Sequence, residues 1–339
     1  MKRLGQTWEA ITDFGNLYAA YRLARRGKSN REEVARFTLQ LEQQLHRLQW
    51  ELQSFNYQPG NYRLFTLYER KPRQIAAAPF KDRVVHHALM RIIEPELDRR
   101  FIHDSYACRK GKGVHAAVDR YQHWSQRYPY VLQLDIQRYF PSIHRPTLKQ
   151  RLRRYLKEPH TLHLLDTIID HSPEDARSDS DCGIPIGNLT SQFFANLYLN
   201  RLDHFIKQQL HCRAYLRYVD DLVLLADSKH QLWHWYQVIS DTLQQERLQL
   251  HSQPTLSKVT DGIDLFGYRI WPTKRQLRND NGHRFARQHR QRARAFAAGQ
   301  LELTQMRPAV QSWIGHARHG DTEGLRRKLL GGIVFSRGS

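Results

Sequence analysis

The sequence predicts a mixed α+β chain in which helices pack on one side of a small antiparallel sheet. Two apolar runs, Tyr215 to Val219 and Leu222 to Leu225, are separated only by Asp220-Asp221, the pattern of a tight hairpin with carboxylates at its tip. A third apolar run, Tyr130 to Ile136, reads as a short buried strand. Around these runs, long stretches repeat apolar residues every three or four positions, which places helices beside the sheet.

Taken in order, the first element is a helix over 30–54. Ser29 and Glu32 have capping-box spacing, and Val34, Phe37, Leu41, Leu45, Leu48 and Leu52 form its stripe. Turn residues from Phe55 to Gly60 end it. A second helix covers 81–101 and is expected to break or bend near Pro95. After the 130–136 strand, a helix over 188–210 carries Phe194, Leu197, Tyr198, Leu202, Phe205 and Ile206 on one stripe. The Asp-Asp hairpin, a helix over 229–247 and a hairpin around Leu265-Phe266-Gly267-Tyr268 follow. The C-terminal part is helical from about Arg284, with Trp313 expected in its core.

Charge is the informative bulk property. The 339 residues include 53 Lys and Arg against 33 Asp and Glu, a formal net charge of +20. Part of the excess is local, with 14 basic and 4 acidic residues from Thr273 to Ser339. A surface of this kind attracts polyanions, of which nucleic acid is the commonest, although charge alone separates neither an enzyme from a binder nor either from a merely basic protein. No apolar run has the roughly 18–20 residues that cross a bilayer. Nor does the N-terminus carry an apolar core of the secretory kind. The three cysteines, Cys108, Cys182 and Cys212, are dispersed and odd in number, which fits a reducing cytoplasm and neither a disulfide framework nor a zinc cage.

Adjacent carboxylates between apolar strands repel one another and find little compensation there. A solvated Asp-Asp turn would explain Asp220 and Asp221 taken alone. Asp135 points further, because it too ends an apolar strand. If the strands lie side by side, Asp135 and Asp220 can share two divalent ions, the arrangement that clamps in-line phosphoryl transfer. Hard carboxylate oxygens suit Mg²⁺.

These residues carry a resemblance. Tyr218-Val219-Asp220-Asp221 resembles the YxDD signature of reverse transcriptases, and Leu134-Asp135-Ile136-Gln137-Arg138-Tyr139-Phe140 their first carboxylate motif. Further blocks follow the family order. Lys71 to Ile75 with Phe80 to Val85 resembles the fingers motif, Tyr106 to Gly113 the next block, and Leu265-Phe266-Gly267-Tyr268 the primer grip. The likeness spans about residues 14–328. Within the superfamily the match is nearest to the enzymes of diversity-generating retroelements. Ile184-Pro185-Ile186-Gly187-Asn188-Leu189-Thr190-Ser191-Gln192 stands where group II intron enzymes typically carry Gln-Gly and end in Ser-Pro. The Phe266 to Thr273 stretch, the short N-terminus and the lack of a maturase or endonuclease extension also resemble the retroelement group.

The resemblance implies a right-hand polymerase fold, with fingers over 1–125, a palm over 126–272 and a basic helical thumb over 273–339. It implies RNA-directed DNA synthesis with two Mg²⁺ ions held by Asp135, Asp220, Asp221 and the Ile136 carbonyl. Deoxynucleotide contacts fall on Lys71, Arg73, Ile186, Gly187 and Gln192, with Phe140 as the steric gate against a ribose 2′-hydroxyl. Template and primer contacts fall on Arg109, Asn188, Tyr218, Phe266, Gly267 and Tyr268. The arginine run at Arg284, Arg287, Arg290, Arg292 and Arg294 tracks the template–primer backbone or binds an accessory subunit. Lys258 lies loosely where related polymerases keep a lysine, though a solvated lysine explains it better. The implied partners are a template RNA, a primer, dNTPs and a small basic accessory protein forming a pentameric barrel. A role in phage defence or intron mobility, or a silent RNA-binding relative, are the alternatives.

Overall fold

The computed structural model describes residues 3–68, 72–171 and 181–332. Four helices open the chain: α1 (Trp8–Thr12), α2 (Phe14–Arg25), α3 (Glu32–Leu39) and α4 (Leu41–Gln53). The helix expected over 30–54 is therefore two helices. Gln40 leaves helical geometry at φ −117°, ψ 35°, and Arg31, not Ser29, is the N-cap residue of α3. The break lets both apolar stripes, Val34 and Phe37 on one helix and Leu45, Leu48 and Leu52 on the other, reach one core.

An antiparallel hairpin, β1 (Arg63–Tyr68) and β2 (Pro72–Ala77), then leads into α5 (Phe80–Asp98). α5 runs unbroken through Pro95. Pro95 lies in the last turn, where it removes one backbone donor and has little helix left to disturb. Next come α6 (Val114–Ser125), β3 (Tyr130–Asp135), α7 (Tyr139–Ser142), α8 (Arg145–Tyr155), α9 (Pro159–Asp170), α10 (Leu189–Gln208), β4 (Tyr215–Tyr218), β5 (Asp221–Ala226), α11 (Lys229–Gln245) and β6 (Thr255–Lys258). The chain closes with β7 (Ile263–Leu265), β8 (Tyr268–Ile270), β9 (Arg275–Leu277), α12 (Asn279–Ala297), α13 (Leu303–Ala317) and α14 (Glu323–Gly331).

The central sheet has the order β4-β5-β3-β6 and is antiparallel throughout; β7-β8-β9 forms a separate antiparallel sheet. Both faces of the central sheet are covered, which corrects the expectation of helices on one side. Leu132, Leu134, Leu222 and Leu224 enter the larger core, shared with α2, α5, α10 and α11. Val131, Leu216, Val223 and Leu225 enter a second core with α6 and the three-stranded sheet. Nearly continuous apolar strands are what two buried faces require; a half-exposed sheet alternates.

The last helices pack on this second core. Phe285 of α12 stacks on Trp313 of α13 at 3.9 Å between ring centres, and Trp313 Nε1 donates to Asn281 Oδ1 at 3.1 Å. Trp313 is thus a core residue, as expected, although α12 starts at Asn279 and not near Arg284. Among the described residues no helix is long and apolar enough to cross a membrane.

The start of the chain is tied down by one carboxylate. Glu158, the N-cap residue of α9, accepts from the Thr7 N–H at 2.6 Å and the Trp8 N–H at 2.8 Å. Its partial burial raises the carboxyl pKa, but the hydrogen bonds from Thr7 and Trp8 outweigh this and lower it below the ordinary 4.5. A carboxyl depressed in the folded state stabilises fully above its unfolded pKa and ceases to as pH falls through the folded one. Glu158→Gln should therefore lower the melting temperature at neutral pH. The gap from wild type should close when the melts are repeated in acid well below pH 4.5.

Candidate active site

The site is built on β3 and the β4–β5 hairpin. Asp135, the last residue of β3, is the direct antiparallel partner of Asp221, the first residue of β5. Partners in such a ladder have Cα atoms roughly 4.5–5.5 Å apart and side chains on one face. Asp220 occupies the turn between β4 and β5, and its carbonyl accepts the Ile136 N–H at 3.2 Å. Asp135 and the adjacent pair Asp220-Asp221, which begins 85 positions later, thus meet at one sheet end.

Their electrostatics are unfavourable as they stand. Burial raises the Asp220 carboxyl above its ordinary value, and the charge of Asp135 raises it further. Arg73 and Arg217 oppose this. Among the described residues no three Asp, Glu, His or Cys side chains, these three carboxylates included, stand close enough together to hold a metal ion by themselves. The donor set, carboxylates with the Ile136 carbonyl beside them, is nonetheless all hard oxygen and suits Mg²⁺, which normally takes one or two carboxylates and completes its shell with water and phosphate.

Two cavities meet at Asp135. The larger, of about 1540 Å³, is lined by Asp135, Ile136 and Asp220 and by Arg73, Phe140, Ile186, Gly187 and Gln192. Every nucleotide candidate among the described residues therefore opens on one space; Lys71 lies outside those residues. Arg138 and Arg247 line the same space and were not anticipated. A second cavity, of about 540 Å³, is lined by Asp135, Asp221 and His251. The His251 N–H donates to the Asp135 carbonyl at 2.7 Å, so this histidine stands beside the carboxylates with no sequence motif to announce it.

Several candidates have packing roles that the sequence did not reveal. Gly187 sits at φ +112°, and a Cβ there would lie 2.7 Å from Ile75 Cγ2. The Ile186 carbonyl accepts the Ala76 N–H at 2.9 Å. The loop before α10 is thereby docked on β2, and this contact already requires glycine at 187. Asn188 is buried, and its Nδ2 has no hydrogen-bond partner among the described residues.

On the other side, Phe266 and Gly267 turn between β7 and β8 at φ +50° and +94°. They line a further cavity with Asp221, and the Phe266 ring centre is 4.7 Å from that of Tyr218. Tyr268 is fully buried instead, its hydroxyl bonded to His316. It holds α13 and is closed to a nucleic acid.

Arg109 is a second correction. Nε and Nη2 donate to Asp98 and Nη1 to the Ile102 and Ser105 carbonyls, which uses all five of its N–H groups internally. Lys258 pairs with Tyr130 at the far end of β3, five residues or roughly 16 Å from Asp135. The exposed face of α12 carries Arg284, Arg287, Arg290 and Arg294, opposite its buried Phe285 and His289.

What holds the hairpin was missed entirely. Arg217 is fully buried in β4 and paired with fully buried Asp203 of α10, at 2.7 Å from Nη2. Its Nη1 donates to the Asn196 side chain at 3.1 Å and to the Val219 carbonyl at 2.9 Å. Val219 stands at φ +58°, a left-handed conformation that a β-branched residue rarely adopts. A charged residue inside an apolar strand, Tyr215-Leu216-Arg217-Tyr218, was the available signal.

Residues 66–270 match the family model described as "Reverse transcriptase (RNA-dependent DNA polymerase)". The chain belongs to this family. All three carboxylates and both hairpin turns of this reverse transcriptase family member fall inside the matched region. Among curated relatives, "Protein YkfC" of Escherichia coli (strain K12) is 27% identical over 176 residues, covering 49% of this chain and 46% of that protein. An "Uncharacterized 91 kDa protein in cob intron" of Schizosaccharomyces pombe is 24% identical over 157 residues, covering 46% of this chain and 20% of its own length. The chain thus matches less than half the length of either relative.

Removing one partner of a buried ion pair typically costs about 3–5 kcal/mol, because the other charge is left stranded. Arg217→Met should lose about that much in urea unfolding. Adding Asp203→Leu should restore much of the stability but not nucleotide incorporation, because the Val219 carbonyl still lacks its donor.

Proposed function

We propose that this protein is an RNA-directed DNA polymerase that copies a template RNA into cDNA by two-metal nucleotidyl transfer. The carrying observation is the convergence of Asp135, Asp220 and the five nucleotide candidates on one cavity, at the end of a sheet whose hairpin also meets the Phe266-Gly267 turn. In this reading the hand has fingers over 1–125, a palm over 126–272 and a thumb over 273–339.

The primer 3′-oxygen attacks the α-phosphorus of the dNTP. One phosphorus–oxygen bond forms, the α–β bridge breaks, pyrophosphate leaves, and the hydroxyl proton passes to water. Two Mg²⁺ ions, when bound, supply electrostatic stabilisation of the attacking and leaving oxygens. Asp135, Asp220 and Asp221 would hold them, with the Ile136 carbonyl beside Asp135. Carboxylates alone make no closed cage here, so water and the nucleotide's phosphates would have to supply the remaining oxygens. Arg73 presents a guanidinium fork to the triphosphate, and Arg138 and Arg247 line the same space. Phe140, half-buried against the core, crowds the ribose 2′ position. Tyr218, Phe266 and Gly267 face the primer end, and Arg287, Arg290 and Arg294 track the backbone.

The finer reading is error-prone copying in a diversity-generating retroelement, with a small basic accessory oligomer as partner. It rests on the Ile184 to Gln192 block. Ile186 offers an apolar side chain where a glutamine could hydrogen-bond near the nascent pair. The second reading, intron mobility, is favoured by the likeness to the intron-associated yeast protein.

Two measurements test these readings. The protein should incorporate dNTPs on a primed RNA only with Mg²⁺, and Asp220→Ala should reduce incorporation to background; activity that survives this change would overturn the assignment. Ile186→Gln should lower misincorporation opposite template adenines on one RNA template. Identical error spectra would remove Ile186 from the account.

A further inference from the structure

A second basic concavity lies on α2 and α5, sharing no residue with the cavities around the carboxylates. Arg22, Arg25 and Arg26, in and just beyond the last turn of α2, line a space of about 580 Å³ together with Arg91 of α5. Arg91 stands eleven residues after Phe80, roughly 16 Å along the helix from the end that follows β2. All four arginines are exposed, and none has a carboxylate partner among the described residues; Arg91 Nε donates to Asn16 Oδ1 at 3.0 Å. The neighbouring acids are engaged elsewhere, Glu33 by Arg83 and Glu32 by Arg36.

The negative end of the α2 dipole explains why the fold tolerates this cluster without acids. The guanidinium forks remain open, and their planar donor pairs match phosphate oxygens. Beside them Tyr18, one turn before Arg22, is 43% exposed. A membrane surface fits poorly, because α2 buries Leu17, Ala20, Tyr21 and Ala24 in the core and, of its large apolar side chains, exposes only Tyr18 and Leu23, too narrow an apolar face for lipid. Arginine forks beside an exposed aromatic ring are the chemistry that grips RNA phosphates and stacks an unpaired base.

We propose that this concavity is a second RNA site, holding a folded segment of the template RNA outside the stretch being copied, with Arg22, Arg25, Arg26 and Arg91 on phosphates and Tyr18 on a base. The inference rests on the reading that the template is RNA.

The test uses the full chain, a fluorescein-labelled RNA hairpin with single-stranded tails, and incorporation on poly(rA)·oligo(dT) as the separate readout of polymerase activity. Arg22→Ser/Arg25→Ser/Arg26→Ser should weaken hairpin binding about tenfold and lower the slope of log affinity against log salt by about two to three, as the loss of three phosphate contacts requires. Tyr18→Ala should weaken binding with the slope unchanged, and both variants should keep wild-type incorporation on poly(rA)·oligo(dT). Equal hairpin affinity and slope in the triple variant and wild type would overturn the proposal. So would an unchanged hairpin affinity with lost binding to phosphatidylserine vesicles. Absent incorporation in wild type, with hairpin binding still sensitive to the arginines, would instead count against the polymerase reading.

Discussion

The buried pair of Arg217 and Asp203 is the contact on which the geometry of the candidate site depends. Two charges without solvent exposure stabilise only when every donor and acceptor is matched, and here they are. The arginine is shared between α10, through Asp203 and Asn196, and the hairpin, through the Val219 carbonyl. Its backbone also binds the 104–106 segment, donating to the Asp104 carbonyl and accepting from the Tyr106 N–H. One side chain therefore fixes the hairpin to the helix behind it while its main chain fixes the strand edge. Burial opposes the charge on Arg217; the Asp203 carboxylate outweighs it and raises the pKa.

That anchorage supports strain. Val219 is left-handed and β-branched, and Phe266 is left-handed as well. Such positions cost about 1–3 kcal/mol each and persist where surrounding contacts hold them. They are the two turns that flank the acids, and each carries an aromatic contact, Phe266 against Tyr218. Asp135 and Asp220 repel, and a backbone hydrogen bond, Arg73 and Arg217 only partly ease Asp220. A site strained in backbone and crowded in charge is stabilised by cations and phosphates, which is the chemistry proposed for it.

Positive charge is distributed accordingly. Arg73, Arg138 and Arg247 stand around the carboxylate cavity, the α12 arginines line an exposed helix face, and Arg22, Arg25, Arg26 and Arg91 gather on α2 and α5. A net charge of +20 thus resolves into separate places. The internal arginines, Arg109 and Arg217, belong to none of them, because their donors are used by the protein itself.

By itself the sequence determined the strands that end in acids, the long helix α10, the family resemblance and the hairpin between β4 and β5, whose turn falls at Val219-Asp220, one residue before the expected Asp220-Asp221. Each is written in adjacent residues: apolar runs, a two-residue turn, a helical period, an ordered set of motifs. Tertiary structure decided what depends on distant partners. It split the 30–54 helix at Gln40, covered the sheet on both faces, brought Asp135 opposite Asp221, and turned Arg109 and Tyr268 inward. It also placed His251 beside Asp135 and Arg217 behind Val219. The physical reason is that a local pattern fixes period and turn, whereas burial of a charge or a ring depends on which groups far along the chain arrive to satisfy it.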